Sequence, residues 1–347
     1  MIKSIHFKNF KALIDTTLPL NRFTLIVGPN GSGKSTAMQG LQMAVKPHAF
    51  HFLDVVNASL KDSGNTTVEI KVEWNVGDVD VLIRSGWMRN GNVFSDFGPE
   101  FRSLTNPEFP TVANHLSNDI SQTLQRELNN FPVYSFDAQE LATSVELRPN
   151  MALSTNGSYL AGVLDNLRDK EPERFEALNE ELGRWLPEFN RILFETSREG
   201  RRSLLLRTRL GHRIEASNLS HGTLFALAFI TLAYIPNPPS ILCFEEPERG
   251  IHPRLLREIR DAMYRLCYPE EYGEKRSPVQ VIATTHSPYL LDLYKDHPEE
   301  IVIAHKDEKG VHFERLSDKP NIDEFLQDAP LGEVWYSGIL GGVPSNP

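Results

Sequence analysis

The chain has 347 residues, of which 40% are hydrophobic, and a formal net charge of −10 at pH 7. This length allows one large or two modest domains with a real core, and the charge excludes a chain that is polycationic as a whole. No run approaches the roughly 18 apolar residues that span a membrane, and the first residues form no apolar signal segment, so we expect a cytoplasmic protein with no membrane partner. Cys243 and Cys267 both lie in apolar patterns and are predicted to be buried thiols.

A strand, a glycine-rich loop and a helix are predicted near the start of the chain. Ile5 and Phe7 alternate with polar neighbours and predict an opening strand, and the wholly apolar run at 23–27 predicts a buried one. Apolar residues at helical spacing over 36–45 predict a helix. Between the second strand and this helix, GPNGSGKS at 28–35 fits the P-loop pattern G-x-x-x-x-G-K-[ST], in the strand–loop–helix context that this pattern requires.

The P-loop predicts a site for ATP. Glycines let backbone N–H groups turn towards phosphate oxygens, and the N-terminus of the following helix attracts the same anion. Lys34 is predicted to reach the β- and γ-phosphates, and the Ser35 hydroxyl is predicted to bind Mg²⁺. The residues predicted to contact the nucleotide here are Asn30, Gly31, Ser32, Gly33, Lys34, Ser35 and Thr36.

Residues from about 46 to 200 separate the P-loop from the next motif. Strict alternation over 68–76 and again over 79–83 predicts a hairpin that turns at residues 77 and 78. The Gly-, Asn-, Pro- and Phe-rich stretch 86–110 predicts a long loop. Because no heptads persist, a long coiled-coil arm is excluded and a compact helical lid is expected. Its predicted helices are Thr111 to Asn129, Tyr159 to Leu167 and Pro172 to Leu186.

A second motif precedes a very apolar predicted helix, Leu224 to Tyr234. It reads Leu219-Ser220-His221-Gly222 and follows a predicted hairpin that turns at Gly211-His212. Ser220 and the N–H groups at the start of this helix are able to hold an anion. Read alone, the same pattern predicts only a helix cap.

Two carboxylates end the next apolar run, 240–244. A carboxylate at the tip of a buried strand can hold Mg²⁺, and a second can orient the attacking water. We assign Glu245 to the metal and Glu246 to the water. Because successive strand residues point to opposite faces, we expect the two side chains to have different jobs.

The last motif, Thr285-His286-Ser287, follows a predicted strand at 279–284. Read alone, the pattern favours a satisfied core or strand-end histidine at position 286. Two further strands, 301–304 and 311–316, and a short tail follow. The tail carries apolar residues, Val334-Trp335-Tyr336 and Ile339-Leu340, that are able to dock.

In this order, GPNGSGKS, LSHG, FEEPERGIHP and TTHSP resemble the ABC-type ATPase heads of the SMC, RecF and OLD group. The compact AAA-family ATPases of bacterial anti-phage defence systems are the most similar members. The resemblance covers roughly 1–45 and 200–306, and implies an α/β P-loop NTPase fold that dimerises head to head around two ATP molecules. It also implies that Ser220 and Gly222 contact the γ-phosphate bound by the partner subunit, and that His286, with Glu246 and Lys34, serves catalysis.

The resemblance also suggests how the chain is divided. We expect a single ABC-type ATPase domain over 1–347, with a core at 1–45 and 200–320. An antiparallel β subdomain and loop is expected at 46–110, a helical lid insertion at 111–199, and a C-terminal tail at 321–347. By the same likeness, Asn9-Phe10-Lys11 would lie near the adenine.

Three departures from the family pattern bear on activity. The motif LSHG lacks the glycine pair usual in transporters, and Glu245 stands where an Asp is usual. No convincing Gln-loop is present, and Gln139 is the candidate for that role. Slow or partner-dependent hydrolysis is therefore compatible with the sequence.

The leading functional hypothesis is an ATP-hydrolysing homodimer or higher oligomer that regulates a separately encoded effector, a nuclease or toxin, in anti-phage defence. Its basis is the motif set and the lack of an effector domain in the sequence. The alternatives are a RecF-like DNA-repair ATPase, a transporter subunit, and a nucleotide-held scaffold with little hydrolysis. A nucleic-acid partner is open, because six arginines predict either a solvated hairpin face or a phosphate contact: Arg198, Arg201, Arg202, Arg207, Arg209 and Arg213.

Overall fold

The computed structural model describes residues 1–61, 66–76, 79–101, 111–112, 127, 131–308, 310–320, 322, 329–338 and 340. The chain divides into two compact units. The first unit is formed by residues 1–131 together with 282–347, and the second by residues 132–281.

The two units contain sixteen strands and nine helices among the described residues. The strands are β1 Ile2–Phe10, β2 Leu13–Pro19, β3 Phe23–Val27, β4 Thr67–Val76, β5 Val79–Met88, β6 Val93–Phe101, β7 Thr111–Val112, β8 Val133–Tyr134, β9 Val145–Glu146, β10 Phe189–Thr196, β11 Arg201–Thr208, β12 Arg213–Glu215, β13 Ile241–Glu245, β14 Gln280–Thr285, β15 Ile301–Asp307 and β16 Gly310–Arg315. The helices are α1 Lys34–Val45, α2 Phe52–Val55, α3 Ala138–Ala142, α4 Leu160–Lys170, α5 Pro172–Trp185, α6 His221–Tyr234, α7 Leu256–Cys267, α8 Pro288–Asp292 and α9 Leu331–Tyr336.

The first unit contains an antiparallel sheet in the order β2-β1-β4-β5-β6-β7. Its strands form because apolar and polar residues alternate, which places Ile70, Val72 and Trp74 of β4 in the core. In the same unit β15 pairs in parallel with β3, with Val302 opposite Ile26, and antiparallel with β16. All five residues of β3 are buried, as expected of a central strand, and the P-loop begins directly after it.

The second unit joins an antiparallel sheet to a helical layer. Strands β10, β11 and β12 pair in that order, and β9 adds to β11. Helix α5 presents Phe175, Leu178 and Leu182 to the core, at the spacing of one helix face. Helix α6 is buried at all twelve positions from Thr223 to Tyr234, so it is a core helix.

Two predictions in the segment after the P-loop were wrong. The stretch 86–110 was expected to be a long loop, but β5 continues to Met88 and β6 covers Val93–Phe101. Pairing between these strands overrides the turn-forming composition, and a Cβ on Gly86 would lie 2.2 Å from the Phe94 ring, so the glycine accommodates the aromatic side chain. Thr111–Val112, expected to begin a helix, forms β7.

Other expectations in this segment have different outcomes. Residues 113–126, 128 and 129 of the predicted helix, and the predicted turn at 77–78, lie outside the described residues. The predicted helices beginning near Tyr159 and at Pro172 are confirmed as α4 and α5. The stretch 111–199 also contains the whole of strands β8, β9 and β10, which the prediction of a helical lid did not include.

Most of the apolar C-terminal residues predicted to dock are buried, and Ile339 lies outside the described residues. Leu331, Val334, Trp335 and Leu340 are buried, whereas Tyr336 is exposed. Both cysteines are buried and free, also as expected. Within the described parts of the chain, no helix is both long and apolar enough to cross a membrane.

Candidate nucleotide-binding site

The P-loop in the first unit requires its glycines for two different reasons. A Cβ on Gly28 would lie 2.3 Å from the Ala304 carbonyl oxygen and 2.7 Å from Ser32 Oγ, so no larger residue fits there. Gly33 has φ +88°, a left-handed conformation that L-residues rarely adopt, and is the N-cap of α1. The motif therefore needs glycine at position 28 because the Ala304 carbonyl lies too close for a side chain, and at position 33 because of the left-handed backbone conformation.

Lys34 folds back into the loop. Its ammonium donates hydrogen bonds to the carbonyl oxygens of Gly28 at 2.8 Å and Pro29 at 2.9 Å, and to Ser32 Oγ at 3.4 Å. The residue is only 6% exposed, and a buried ammonium is tolerable because these oxygens solvate it. The charge is thus held inside the loop, where a phosphate group would be attracted to it.

The start of helix α1 is open to an anion. Its twelve residues begin at Lys34, the N-cap Gly33 has no side chain to cap it, and no acidic residue of the first turn would repel an anion. Ser35, Asn30 and Gly31 are exposed, and Thr36 is half-buried. These residues form a surface loop around a buried lysine, the arrangement that phosphate binding by backbone N–H groups requires.

His286 lies in the same unit as the P-loop. It follows Thr285, the last residue of β14, and is half-buried. Ser287 caps α8, since its Oγ accepts a hydrogen bond from Leu290 N at 3.2 Å, and Ser287 N donates to Thr285 Oγ1 at 2.9 Å. The histidine is therefore held between a strand end and a capped helix.

Glu245 and Glu246 lie in the second unit, at the end of β13. Both line a cavity of about 20 Å³, which is large enough for one water molecule. We call it the carboxylate cavity. Its other lining residues are Tyr134, Ser135, Phe136, Phe225, Phe229, Phe244, Pro247 and Arg249.

The expectation that the two carboxylates must point to opposite sides of a strand does not hold. Glu246 has φ +48°, so the chain leaves β13 in the left-handed region directly after Glu245. Strand alternation therefore ends at Glu245, and both residues line one cavity. This conformation is unusual for a residue with a side chain, and strained residues of this kind cluster at functional sites.

The parallel pairing of β8 with β13 adds residues that the sequence did not point to. Cys243 lies opposite Val133, and Phe244 opposite Tyr134. The carboxyl ends of parallel strands meet at the same sheet edge, so Ser135 comes to line the carboxylate cavity. A strand of two residues carries no periodic signal, which is why Ser135 was missed.

The segment Leu219–Gly222, which we call the signature loop, opens helix α6. Ser220 is the N-cap, and its Oγ accepts a hydrogen bond from Thr223 N at 3.1 Å. Ser220 and His221 are exposed, although the helix that follows is buried. The motif therefore presents polar groups and a helix N-terminus on the surface of the second unit.

Two weaker predictions receive no support from this geometry. Gln139 is exposed at the start of α3 and lines a groove of about 460 Å³ together with His221 and Leu219, but it does not line the carboxylate cavity.

Several of the clustered arginines bond within the second unit. Arg201 bonds Ser144, Arg202 lies 3.1 Å from the buried Asp165, and Arg207 bonds Asn190 at 3.1 Å.

Cys243 lies directly below the carboxylates on β13 and is fully buried. Burial, with a smaller contribution from the Glu245 charge, raises the pKa of the Cys243 thiol far above its ordinary value. The thiol is therefore neutral and acts as a small apolar side chain rather than a nucleophile.

The structure thus groups the predicted residues into three sets. The P-loop residues and His286 lie in the first unit. In the second unit, Glu245 and Glu246 share the carboxylate cavity, and Ser220 and Gly222 form the signature loop. Ser35 in the first unit carries a hydroxyl and Glu245 in the second unit carries a carboxylate, and both groups are hard oxygen ligands of the kind that Mg²⁺ prefers.

Comparisons with known proteins identify the family and the fold of the chain. A family model described as "AAA domain, putative AbiEii toxin, Type IV TA system" matches residues 60–292, which is more than half of the chain. The OLD nuclease of Thermus scotoductus is 44% identical over 45 residues, which are 13% of this chain and 8% of that protein. The chain therefore matches only a small part of the length of this curated relative.

Solved structures with a similar fold include two SMC heads. The SMC head bound to the C-winged helix domain of ScpA has a TM-score of 0.60 at 15% identity, covering 90% of this chain and 96% of that chain. The SMC head domain from Thermotoga maritima has a TM-score of 0.50 at 14% identity, covering 90% and 98%. The chain belongs to the AAA domain family of the description above, and it is an α/β P-loop ATPase head with the fold of SMC heads.

Proposed function

We propose that this protein binds and hydrolyses ATP in composite sites that form when two heads dimerise. The observation that carries the proposal is the P-loop, in which buried Lys34 is solvated by loop oxygens beside the uncapped start of α1. This arrangement supports binding of a triphosphate, because the ammonium and the helix N–H groups complement its charge.

Mg²⁺ would be held by Ser35 and Glu245. When bound, it would neutralise charge on the phosphate oxygens. The chain's own residues orient the substrate: the P-loop N–H groups and Lys34 hold the phosphates, and His286 contacts the γ-phosphate.

Glu246 is proposed to orient the attacking water. The carboxylate cavity supports this role, since it combines room for one water with two carboxylates and five aromatic side chains that limit solvent access. A carboxylate that accepts a hydrogen bond from the water aligns it for attack on the γ-phosphorus and polarises it.

Ser220 and Gly222 are proposed to complete the site of a second subunit. Ser220 is exposed and Gly222 is half-buried at the start of a buried helix, and this position supports contact with a partner because a helix N-terminus attracts an anion. ATP bound between two heads would then join them, and hydrolysis would let them separate.

We further propose that this dimerisation cycle regulates a separately encoded effector, a nuclease or toxin, in anti-phage defence. The family description, which names a type IV toxin–antitoxin system, supports a setting of this kind. The second candidate is a nucleotide-held scaffold with little hydrolysis. It is favoured by the position of Gln139, which lines a different groove from the carboxylates.

The test measures ATP hydrolysis and particle mass together, with and without ATP and Mg²⁺, in the parent and in Glu246→Gln. We expect ATP-dependent dimers in the parent and dimers that persist in Glu246→Gln because hydrolysis is lost. Lys34→Ala is the control, and it should neither bind nucleotide nor dimerise. Parent-rate hydrolysis in Glu246→Gln would refute the role of Glu246, and a constitutive oligomer without hydrolysis would favour the scaffold.

A further inference from the structure

We propose that Gly332 and Asp292 are positioning residues that fix the place of His286. They join the C-terminal helix α9 to α8, the helix that begins two residues after His286. This inference rests on the proposed contact between His286 and the γ-phosphate.

The backbone around His286 is held on both sides by secondary structure. On one side, Thr285 ends β14, whose six residues are all buried and therefore fixed. On the other side, Ser287 caps α8, and Pro288 is the first residue of that helix. Because α8 has only five residues, its own hydrogen bonds fix its position weakly, and packing against other elements must supply the rest.

Helix α9 supplies that packing at the residue next to the cap. A Cβ on Gly332 would lie 2.4 Å from the carbonyl oxygen of Pro288 and 2.7 Å from its Cβ. The nearest atoms include backbone, which cannot swing aside as a flexible side chain would. Any side chain at 332 must therefore displace either α9 or Pro288, and Pro288 is two residues from His286.

A hydrogen bond joins the other end of α8 to the same residue, Gly332. Asp292, the last residue of α8, accepts a hydrogen bond from Gly332 N at 2.6 Å. This N–H belongs to the first turn of α9, where the helix offers no partner of its own. Gly332 of α9 thus contacts both ends of α8, and the two contacts together fix the position of the short helix.

Apolar burial holds the pair of helices together. Leu290 and Leu291 of α8 are buried, as are Leu331 and Trp335 of α9. This burial stabilises the pair without selecting a particular offset along the helix. The close contact at Pro288 and the hydrogen bond to Asp292 select the offset, so they determine where the preceding loop places the imidazole.

The test uses Gly332→Ala, Asp292→Ala and Asp292→Asn in the full chain, with Gly183→Ala as the control. A Cβ at 183 meets only the Phe189 carbonyl oxygen at 3.6 Å, an ordinary contact, so this variant tests the effect of adding a methyl group without displacement. We would measure kcat, KM, ATP affinity and thermal stability of each. Each variant at 332 and 292 would also be combined with His286→Ala.

We expect Gly332→Ala to lower kcat by about 10- to 100-fold, because a displacement of about an ångström misplaces a catalytic group. ATP affinity should stay within about twofold, since the P-loop is unchanged. Asp292→Ala should lower kcat less and, since it adds no atoms, should fold. Asp292→Asn should retain most of the parent kcat, because its amide oxygen can still accept the hydrogen bond. In the His286→Ala background, Gly332→Ala should lower kcat no further.

Equal losses from Gly332→Ala with and without His286 would overturn the inference, because the glycine would then act on stability alone. The inference would also be overturned if Gly332→Ala and Asp292→Ala both kept the kcat of the parent. It would be overturned as well if Asp292→Asn lowered kcat as much as Asp292→Ala does. A parent that hydrolyses no ATP would contradict the proposed function and this inference with it. A parent that hydrolyses ATP while Gly332→Ala keeps its kcat would contradict the inference alone.

Discussion

The backbone of Gly222 lies against the carbonyl oxygen of Gly250, so that a Cβ on residue 222 would be 3.0 Å from this oxygen. Gly250 itself has φ +71°, and a Cβ there would be 2.9 Å from the Phe225 ring. The start of α6 is therefore packed backbone to backbone against the loop that follows Glu246. The glycine of the signature loop has a packing reason in addition to the phosphate contact proposed for it.

Substitution of these glycines measures how much their close packing contributes to stability. We expect Gly250→Ala to destabilise the protein by about 2 kcal/mol, because alanine must adopt a left-handed conformation and push the Phe225 ring. Gly222→Ala should cost about 1 kcal/mol, since only the 3.0 Å contact must relax. Urea unfolding measures both. A smaller loss for Gly250→Ala than for Gly222→Ala would contradict this ranking.

Strong periodic patterns predicted the elements that frame the site. The wholly apolar 23–27 is β3, and the apolar run at 224–234 is the interior of α6. These segments are buried on all sides, and exposing any of their apolar residues to water would cost free energy. Their apolar composition therefore predicts their place in the core. The alternating residues 68–76 are likewise a strand, because one face packs and the other does not.

The features that the sequence could not predict depend on contacts between distant residues. The strand Val93–Phe101 contains Gly98 and Pro99 and looks like a loop, but pairing with β5 holds it extended. Ser135 reaches the carboxylate cavity only because β8 pairs with β13. The left-handed backbone of Glu246 has no sequence signal, since Asn, Asp and Gly are the residues that usually mark such positions.

Comparing glycine with alanine at position 246 tests that backbone conformation. Both variants lose the same side-chain interactions, so their difference reports the backbone alone. Residue 246 has φ +48°, so glycine relieves the left-handed strain that alanine retains, but glycine also has the larger entropy in the unfolded chain. The net result should be that Glu246→Gly is more stable than Glu246→Ala by about 0.5–1 kcal/mol.

The matched control for this comparison is Glu245, the last residue of β13. There the order should reverse, with Glu245→Gly less stable than Glu245→Ala by about 0.5–1 kcal/mol, because glycine only adds unfolded-state entropy. Denaturant unfolding of the four variants gives both differences. The same order at both positions would contradict the left-handed conformation of Glu246.

Glu274 connects two arginines in the second unit. It accepts hydrogen bonds from Arg265 Nε at 2.5 Å and Arg276 Nε at 2.6 Å. Burial by itself would raise the pKa of the Glu274 carboxyl, but the hydrogen bond from Arg276 and the charges of both arginines outweigh it and lower the pKa below its ordinary value of 4.5. A lowered pKa means that the ion pairs stabilise the protein above about pH 4.5 and that this contribution is lost as the pH falls through the lowered value.

We therefore expect Glu274→Gln to destabilise the protein by about 3–5 kcal/mol at pH 7, because it leaves the nearly buried Arg276 without its carboxylate. The difference from the parent should shrink below about pH 4.5, because the carboxyl of the unfolded chain takes up its proton there while that of the folded protein stays ionised to lower pH. Glu271→Gln, at a neighbouring exposed position, is the control and should change the free energy of unfolding by less than about 0.5 kcal/mol. A pH-independent difference between Glu274→Gln and the parent would contradict the ion-pair explanation.

His305 and His312 face each other across β15 and β16, with ring centroids 5.5 Å apart. Burial lowers the pKa of His305 below its ordinary value of 6.5, and the charges of His312 and Lys319 lower it further, against the opposing carboxylates of Glu314 and Asp307. The folded protein therefore binds this proton less readily than the unfolded chain does. The contribution of His305 to stability is complete above about pH 6.5 and declines as the pH falls through that value.

Removing the imidazole should remove that part of the pH dependence. We expect the loss of thermal stability between about pH 7 and pH 5 to be smaller in His305→Gln than in the parent, since glutamine takes up no proton in this range. His212→Gln, at an exposed position in the other unit, should follow the parent curve. A steeper loss in His305→Gln than in the parent would mean that the folded state stabilises the charged imidazole, which is opposite to the sign derived from its burial.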